Sequence, residues 1–191
     1  MPQIDIIGTG NMGQAIAGLV TKGGNSVELF DRTDDSKPIT GEVVVLAVPY
    51  AAVAEIITAR RQELAGKVVI DITNPVNFET FDGLTVAPDS SATADIVAGL
   101  PQSRVVEAFN TNFAATLTAG SIGSEPVTVL VAGDDGDAKA LVAGLVTAAG
   151  MRAIDAGGLK RARELEALGF LQISLAATER ISWTSGFVLL P

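Results

Sequence analysis

Six residues near the start of the chain have the types and spacing of an anion-binding turn. They are Gly8, Thr9, Gly10, Asn11, Met12 and Gly13. They follow an apolar β-branched run at residues 4–7 and open a helical pattern over Asn11–Lys22. Gly8 permits a tight turn, Gly10 lets the backbone approach a ligand, and Gly13 lets the helix pack on the strand. Because a helix N-terminus attracts negative charge, the loop predicts a dinucleotide pyrophosphate site. A glycine-rich turn without a ligand is the alternative.

An acid and a base follow the second predicted strand, about 20 residues after the glycine loop. Asp31 stands where an acid commonly accepts hydrogen bonds from an adenosine ribose, which favours NAD. Arg32 and Thr33 come next, and a guanidinium and a hydroxyl can bind a 2′-phosphate, which favours NADP. A solvated loop charge is the alternative for Arg32. These residues predict a ribose site and leave both cofactors open.

Polar and apolar residues end or directly follow three further predicted strands, at residues 43–48, 68–72 and 105–109. Ligands of parallel α/β sheets lie beyond the carboxyl ends of the strands, so we expect these residues to contact a nicotinamide and its acceptor. They are Ala47, Val48, Pro49, Tyr50, Thr73, Asn74, Phe109, Asn110 and Thr111. Val48 and Pro49 offer an apolar surface for a nicotinamide ring. Simple strand termination is the alternative for Pro49.

Helix capping is the alternative to chemistry at two asparagines and the expected role of two acids. Asn110 and Asn112 are alternatively caps of a following helix. We expect Asp134 and Asp135 to cap a helix and to favour its dipole. The charges at residues 161–166 predict a solvated first turn with pairs spaced three residues apart.

Alternating strands and helices predict a Rossmann-type, doubly wound and mostly parallel α/β sheet, formed as a single domain over residues 1–191. The predicted strands are residues 4–7, 27–30, 43–48, 68–72, 105–109, 127–131 and 151–155. The predicted helices are residues 11–22, 51–60, 92–100 and 137–149. The connection at residues 33–42 is too short for a crossover helix. We therefore expect the third strand to pair beside the first.

The C-terminal segment, residues 159–191, is predicted to form a helix and a tail. The helical pattern over residues 159–180 is apolar on more than one side, so it needs more than one partner. We expect a homodimer built on this helix. The alternative is a helix covered by residues 183–190 of its own chain.

Composition excludes several function classes. The chain has 191 residues, of which 48% are hydrophobic, and this excludes intrinsic disorder. Its net charge of −9 argues against nucleic-acid and anionic-membrane partners. It contains neither His nor Cys, which excludes a Ser–His triad, a His metal cluster and thiolate chemistry. With no signal-like N-terminus and no apolar run of ~18 residues, we expect a soluble cytoplasmic protein without a metal.

Taken together, these motifs resemble the NADPH-dependent reductases of 8-hydroxy-5-deazaflavin (coenzyme F-420). Related N-terminal domains occur in pyrroline-5-carboxylate reductases and in Steap-type metalloreductases. The resemblance covers nearly the whole chain. The stretches that carry it are IGTGNMG at 7–13, AVPY at 47–50, DITNP at 71–75, VVEAFNT at 105–111, GDD at 133–135, DAGGL at 155–159 and ARELE at 162–166.

The resemblance implies roles for individual residues. Residues 9–12 would line the cofactor diphosphate, and Asp31 with Arg32 would contact the adenosine ribose or its phosphate. Val48 and its neighbours would touch the nicotinamide, and residues 109–112 would border a deazaflavin or another acceptor. The family often has a small hydroxyl residue where this chain has Asp31, and the second helix is shortened here.

Three functions stay open at this stage. The first is hydride transfer between NAD(P)H and a flavin or deazaflavin, which needs no ionisable catalytic residue because the cofactors carry the chemistry. The second is reduction of a small imine or carbonyl, with water, Thr111 or Tyr50 relaying the proton. The third is a non-catalytic dinucleotide-binding module that senses redox state. An apolar cleft beside Val48 and Phe109 would favour the first, and a closed site the third.

Overall fold

The computed structural model describes residues 2–190 and has the α/β architecture predicted from the sequence. The strands of its large sheet are β1 (Gln3–Ile7), β2 (Ser26–Phe30), β3 (Val43–Leu46), β4 (Val68–Asp71), β5 (Arg104–Ala108), β8 (Thr128–Ala132) and β9 (Arg152–Gly157). A small hairpin joins β6 (Ser121–Ile122) and β7 (Glu125–Pro126). The helices are α1 (Asn11–Lys22), α2 (Tyr50–Leu64), α3 (Ala92–Gly99), α4 (Ala114–Ala119), α5 (Gly136–Ala148) and α6 (Ala162–Ala177).

The seven strands lie in the order β2-β1-β3-β4-β5-β8-β9. β3 pairs in parallel with β1, with Ile4 opposite Val43, which confirms the pairing inferred from the short connection. One pair departs from the parallel pattern, because β8 runs antiparallel to β5. Between β5 and β8 the chain forms only α4 and the small hairpin. It does not make the crossover connection that would place β8 parallel to β5.

The connection between β2 and β3 contains no helix and is held by side chains from neighbouring elements. Asp5, buried on β1, accepts hydrogen bonds from the backbone N–H groups of Thr40 and Gly41 at 2.8 and 2.7 Å. Arg60 of α2 donates to the backbone carbonyls of Asp34 and Lys37. Long-range hydrogen bonds thus replace the helix that usually covers this part of the sheet.

Helices cover both faces of the sheet, as expected for strands that are apolar throughout. One core lies between the sheet and α1, α4 and α5, and it includes Ile6, Val106 and Val142. The other lies under α2 and α3, and it includes Val44 and Ile96.

Several element boundaries differ from the sequence prediction. β3 ends at Leu46, and α2 begins at Tyr50 and continues to Leu64. The C-terminal helix begins with a 3₁₀ turn, Leu159–Arg161, and ends at Ala177. Within residues 2–190, no helix is long and apolar enough to cross a membrane.

Two backbone contacts fix the entry into α1. Gly8 has a φ of +116°, and a Cβ there would lie 2.1 Å from the carbonyl oxygen of Ala47. A Cβ at Gly13 would lie 2.1 Å from the carbonyl oxygen of Gly8. Both glycines are therefore required by the fold itself, whether or not a ligand binds.

We expect Gly13→Ala to destabilise the protein by at least about 2 kcal/mol, because the new methyl group would displace the backbone of the glycine loop. Gly18 is the matched control, since it lies exposed in the same helix with nothing within 4 Å of a Cβ. Gly18→Ala should stabilise by roughly 0.5–1 kcal/mol. Urea unfolding measures both changes, and equal stability of the two variants would contradict the packing described.

Candidate functional site

The glycine loop leaves one position whose small size the fold does not require. Gly10 precedes α1, is exposed, and has nothing within 4 Å of a built Cβ. Its neighbours Gly8 and Gly13 are constrained by the contacts described above. No side chain caps α1 at Gly10, and the first backbone N–H groups of a helix lack partners within the helix. The open space at Gly10 therefore adjoins a helix N-terminus suited to a phosphate.

The ribose-binding residues predicted from the sequence lie together at the end of β2, beside the glycine loop. Gly8 donates a hydrogen bond from its N–H to the carbonyl of Phe30, at 2.9 Å, which joins the two segments. Asp31, Arg32 and Thr33 are all exposed. The backbone N–H and the hydroxyl of Thr33 both donate to Asp31 Oδ1 at 2.7 Å, and these bonds lower the pKa of Asp31.

The loop after β3 contacts the glycine loop and carries the apolar surface predicted for a nicotinamide. Ala47 lies against Gly8, Val48 is half-buried, and Pro49 is exposed. The Tyr50 hydroxyl donates to Asp95 Oδ2 at 2.7 Å. Burial and this hydrogen bond raise the pKa of Tyr50, which makes its hydroxyl a poor proton donor near neutral pH.

The loops after β4 and β5, residues 73–75 and 109–112, turn inward, and we call them the acceptor loops. Phe109 is 1% exposed and its side chain belongs to the core, so its ring offers no surface for stacking. Thr73 and Thr111 are also buried. Asn74 donates to the backbone carbonyl of Asn110 at 2.7 Å, and Asn110 donates to Asn74 Oδ1 at 3.3 Å. These amide donors are used within the protein.

Helix capping follows the sequence expectation at Asp135 but not at Asp134 or the asparagines. Asp135 accepts a hydrogen bond from the N–H of Ala138 at the start of α5, and Asp134 accepts one from the N–H of Leu159. Phe113, not an asparagine, precedes α4, and no side chain caps that helix. Asn112 instead donates to the backbone carbonyl of Thr128 at 3.1 Å.

Three carboxyl groups that sequence analysis did not select are buried behind the acceptor loops. Asp71, Glu107 and Glu166 come from β4, β5 and α6, and each is 0% exposed. We call them the buried carboxyl cluster. Thr93 links two of them, because its hydroxyl donates to Asp71 Oδ2 at 2.8 Å and its N–H donates to Glu166 Oε1 at 3.3 Å. In residues 2–190, none of the four ion pairs includes a member of this cluster.

Burial without a cation favours the neutral form of these acids. Desolvation raises the pKa of Glu166 to about 8, with the charges of Asp71 and Asp95 adding to the effect. It raises the pKa of Glu107 well above its usual range, and the other two acids of the cluster reinforce this shift. The pKa of Asp71 is also raised by burial, although hydrogen bonds from Thr73 and Thr93 oppose the shift.

The burial of Glu166 corrects the expectation that residues 161–166 form a solvated turn. The expected exposed ion pair is present between Arg161 and Glu164, at 2.8 Å. Glu166 lies four residues after the buried Ala162 and three before the buried Gly169, so helical spacing could have placed it on the inner face. Glu107 could have been found as an acid inside a continuous apolar run.

One cleft of the protein lies away from Val48 and Phe109. A cleft of about 640 Å³ lies between the start of α3 and the 3₁₀ turn, and none of the predicted site residues lines it. No group of three or more acidic residues in the described part of the chain is arranged to hold a metal ion.

A family model and two curated relatives of this chain carry the same family name. The model of the family described as "NADP oxidoreductase coenzyme F420-dependent" matches residues 34–75. The F420-dependent NADP reductase of Methanocaldococcus jannaschii is 34% identical over 139 residues, which are 71% of this chain and 62% of that protein. The F420-dependent NADP reductase of Methanothermobacter thermautotrophicus is 32% identical over 168 residues, which are 83% of this chain and 71% of that protein.

A solved structure extends the similarity to the whole chain. An Arthrobacter sp. FB24 protein, provisionally assigned as an F420-dependent NADP reductase, matches with a TM-score of 0.83 and 26% identity over 100% of both chains. The chain thus spans about three fifths of the length of the first curated relative and the full length of this structure.

Glu166 should make stability depend on pH. Its folded pKa of about 8 lies above the ordinary value of 4.5, so the folded state retains a proton that the unfolded chain releases. The contribution of Glu166 to folding stability is therefore complete below pH 4.5 and is lost as the pH rises to about 8. We expect Glu166→Gln to match the wild type near pH 5 and to be more stable by about 1–3 kcal/mol at pH 8.5.

Chemical denaturation at the two pH values measures this difference. Glu164→Gln is the control, because Glu164 is exposed and should show no comparable pH effect. A constant difference between Glu166→Gln and the wild type from pH 5 to pH 8.5 would contradict a buried neutral acid.

Proposed function

Because the chain belongs to the family of F420-dependent NADP reductases, we propose that it binds NADP(H) at the glycine loop and transfers hydride between the nicotinamide and a flavin or deazaflavin. The observation that carries this proposal is the contrast among the three glycines. Gly8 and Gly13 have backbone atoms against them, whereas Gly10 faces open space at a helix N-terminus. A pyrophosphate that approaches the backbone accounts for the small residue at Gly10.

The chain's own contribution is binding and orientation. The backbone N–H groups at the start of α1 bind the diphosphate, and the residues after β2 bind the adenosine ribose. Val48 and Pro49 support one face of the nicotinamide, which supplies the hydride when bound. Phe109 supports the acceptor loops from the core, and the acceptor ring therefore stacks on the nicotinamide and not on an aromatic side chain. Close stacking of the two rings and exclusion of water from between them accelerate the hydride transfer.

The position of Tyr50 favours a flavin or deazaflavin over an imine or carbonyl. Reduction of an imine needs a proton donor at the acceptor, and the predicted donor Tyr50 is the first residue of α2. Its hydroxyl is engaged with Asp95 and its pKa is raised. Thr111 is buried and cannot meet a solvent-borne substrate without movement.

For the ribose, we propose a preference for NADP set by Arg32. Arg32 is exposed beside the glycine loop and is free to face a 2′-phosphate. Asp31 opposes such a phosphate, because the hydrogen bonds from Thr33 lower its pKa and keep it charged. The balance between these two side chains then sets the ratio of the affinities for NADPH and NADH.

We further propose a homodimer through α6 and the C-terminal tail. Trp183 packs on Phe113 with ring centroids 4.9 Å apart, so the tail covers part of the protein. Large apolar side chains nevertheless stay exposed at Leu171, Phe187, Leu189 and Leu190. An apolar surface of this kind is typical of an interface between two copies of a chain.

Gly10→Val should raise the Kd for both NADPH and NADH at least tenfold, because its side chain would occupy the space of the pyrophosphate. Gly136→Val is the matched control, since Gly136 also stands at a helix start with open space around it. Isothermal titration calorimetry measures both. Unchanged affinity in Gly10→Val would place the nucleotide elsewhere.

Asp31→Ser should tighten NADPH binding and weaken NADH binding, each by roughly five- to tenfold. The substitution removes a negative charge that repels a 2′-phosphate. It also removes a carboxylate that accepts a hydrogen bond from a ribose hydroxyl. Asp35→Ser removes an equally exposed charge nearby and controls for long-range electrostatics. The same NADPH-to-NADH ratio in Asp31→Ser and wild type would exclude Asp31 from the ribose site.

Sedimentation at micromolar concentration should give a dimer of about twice the 19.6 kDa chain mass. Leu171→Glu should dissociate it, because a charge would replace an exposed leucine at the interface. Ala177→Glu, which is also exposed on α6, should leave the dimer intact. A wild-type monomer at this concentration would refute the proposed interface.

A further inference from the structure

Phe109 holds a backbone conformation that its residue type rarely adopts. Its φ is +66°, in the left-handed region where a Cβ crowds the backbone. Its ring is buried in the core, so the side chain cannot turn outward to relieve the strain. Such strained residues persist only where the surroundings hold them, and they concentrate at functional sites.

A side-chain hydrogen bond spans this strained residue. Asn110 Nδ2 donates to Glu107 Oε1 at 2.6 Å, so the bond joins the residues on either side of Ala108 and Phe109. The backbone N–H of Asn112 closes the turn by donating to the carbonyl of Phe109 at 3.1 Å. Glu107 lies on strand β5, and its side chain thus anchors Asn110, the residue directly after the strained Phe109.

Asn110 also connects the two acceptor loops, through separate hydrogen bonds to Asn74. The backbone carbonyl of Asn110 accepts from Asn74, and its side chain donates to Asn74 Oδ1. Gly169 of α6 lies directly against this pair, since a Cβ there would be 2.5 Å from Asn74 Oδ1 and 2.8 Å from the carbonyl of Asn110. A shift of Asn110 would therefore move the loops after both β4 and β5.

We propose that Glu107 is a positioning residue, which sets the acceptor loops for hydride transfer by holding Asn110 across the strained Phe109. This inference rests on the proposed function, because the acceptor is expected at the carboxyl ends of β4 and β5. Glu107 does not touch the substrate. It acts through Asn110, and it acts as a neutral acid whose oxygen accepts the amide hydrogen.

The chemistry around Glu107 supports the neutral form. It is buried with Asp71 and Glu166 and has no cation among its hydrogen-bond partners. Burial raises its pKa well above the usual range. Its Oε2 atom has no hydrogen-bond partner. A neutral amide at this position can therefore accept the same hydrogen bond, whereas an alkyl side chain of similar size cannot.

The test compares Glu107→Leu with Glu107→Gln. In the leucine variant we expect kcat/KM for FMN and for 8-hydroxy-5-deazaflavin to fall ten- to a hundredfold, while the Kd for NADPH changes less than twofold. The glutamine variant should recover kcat/KM to within threefold of the wild type. Glu164→Gln controls for the removal of an exposed acid.

Hydrogen exchange supplies a readout that does not depend on turnover. A peptide covering residues 109–112 should exchange faster in Glu107→Leu than in the wild type, and at the wild-type rate in Glu107→Gln. Wild-type protein that reduces neither probe would defeat the proposed function, whereas the exchange rates would still decide whether Glu107 holds this loop.

Unchanged exchange and unchanged kcat/KM in Glu107→Leu would overturn the proposal. Equal losses of kcat/KM in the leucine and glutamine variants would contradict the role of Glu107 as a neutral hydrogen-bond acceptor. Should Glu107→Leu fail to fold, Asn110→Ala breaks the same bond from its other end and carries the same expected losses. Wild-type exchange in Asn110→Ala would then refute the proposal.

Discussion

The backbone contact between the glycine loop and its neighbours is the constraint on which the rest of this structure depends. Gly8 lies against the carbonyl of Ala47, and Gly13 lies against the carbonyl of Gly8. These approaches bring β1, α1 and the loop after β3 to a single edge of the sheet. They also aim the N-terminus of α1 into the space beside Gly10. One packing solution therefore builds the core and positions the predicted diphosphate site.

The buried carboxyl cluster is the second organising feature, and it joins the loops after β4 and β5 to helices α3 and α6. Three acids without a cation would repel one another if they were all charged, so their burial depends on retained protons. Through Thr93 and Asn110, the cluster holds the start of α3 and the loop after β5, and the latter is where we propose that the acceptor binds. The same groups thus connect stability, pH and the geometry of the site.

Local patterns predicted much of this molecule. The short connection at residues 33–42 was sufficient to place β3 beside β1, because a crossover helix did not fit. The antiparallel strand β8 was not predicted, since its direction depends on a return path through α4 that strand patterns do not contain. The inward turns of Phe109 and Asn110 were also missed, because a position after a strand does not reveal which way its side chain points. The burial of Glu107 and Glu166 does not follow from the sequence, because acidic side chains are ordinarily exposed to solvent.

An isotope followed from the nucleotide to the acceptor tests directly whether this protein transfers hydride. NADPH carrying deuterium at the transferred position would be mixed with the protein and 8-hydroxy-5-deazaflavin, and the products would be analysed by mass spectrometry. Direct hydride transfer between stacked rings predicts that the deuterium appears on a ring carbon of the reduced deazaflavin. NADPH that binds the protein without transferring deuterium to any flavin or deazaflavin would contradict the account and would favour a non-catalytic binding module.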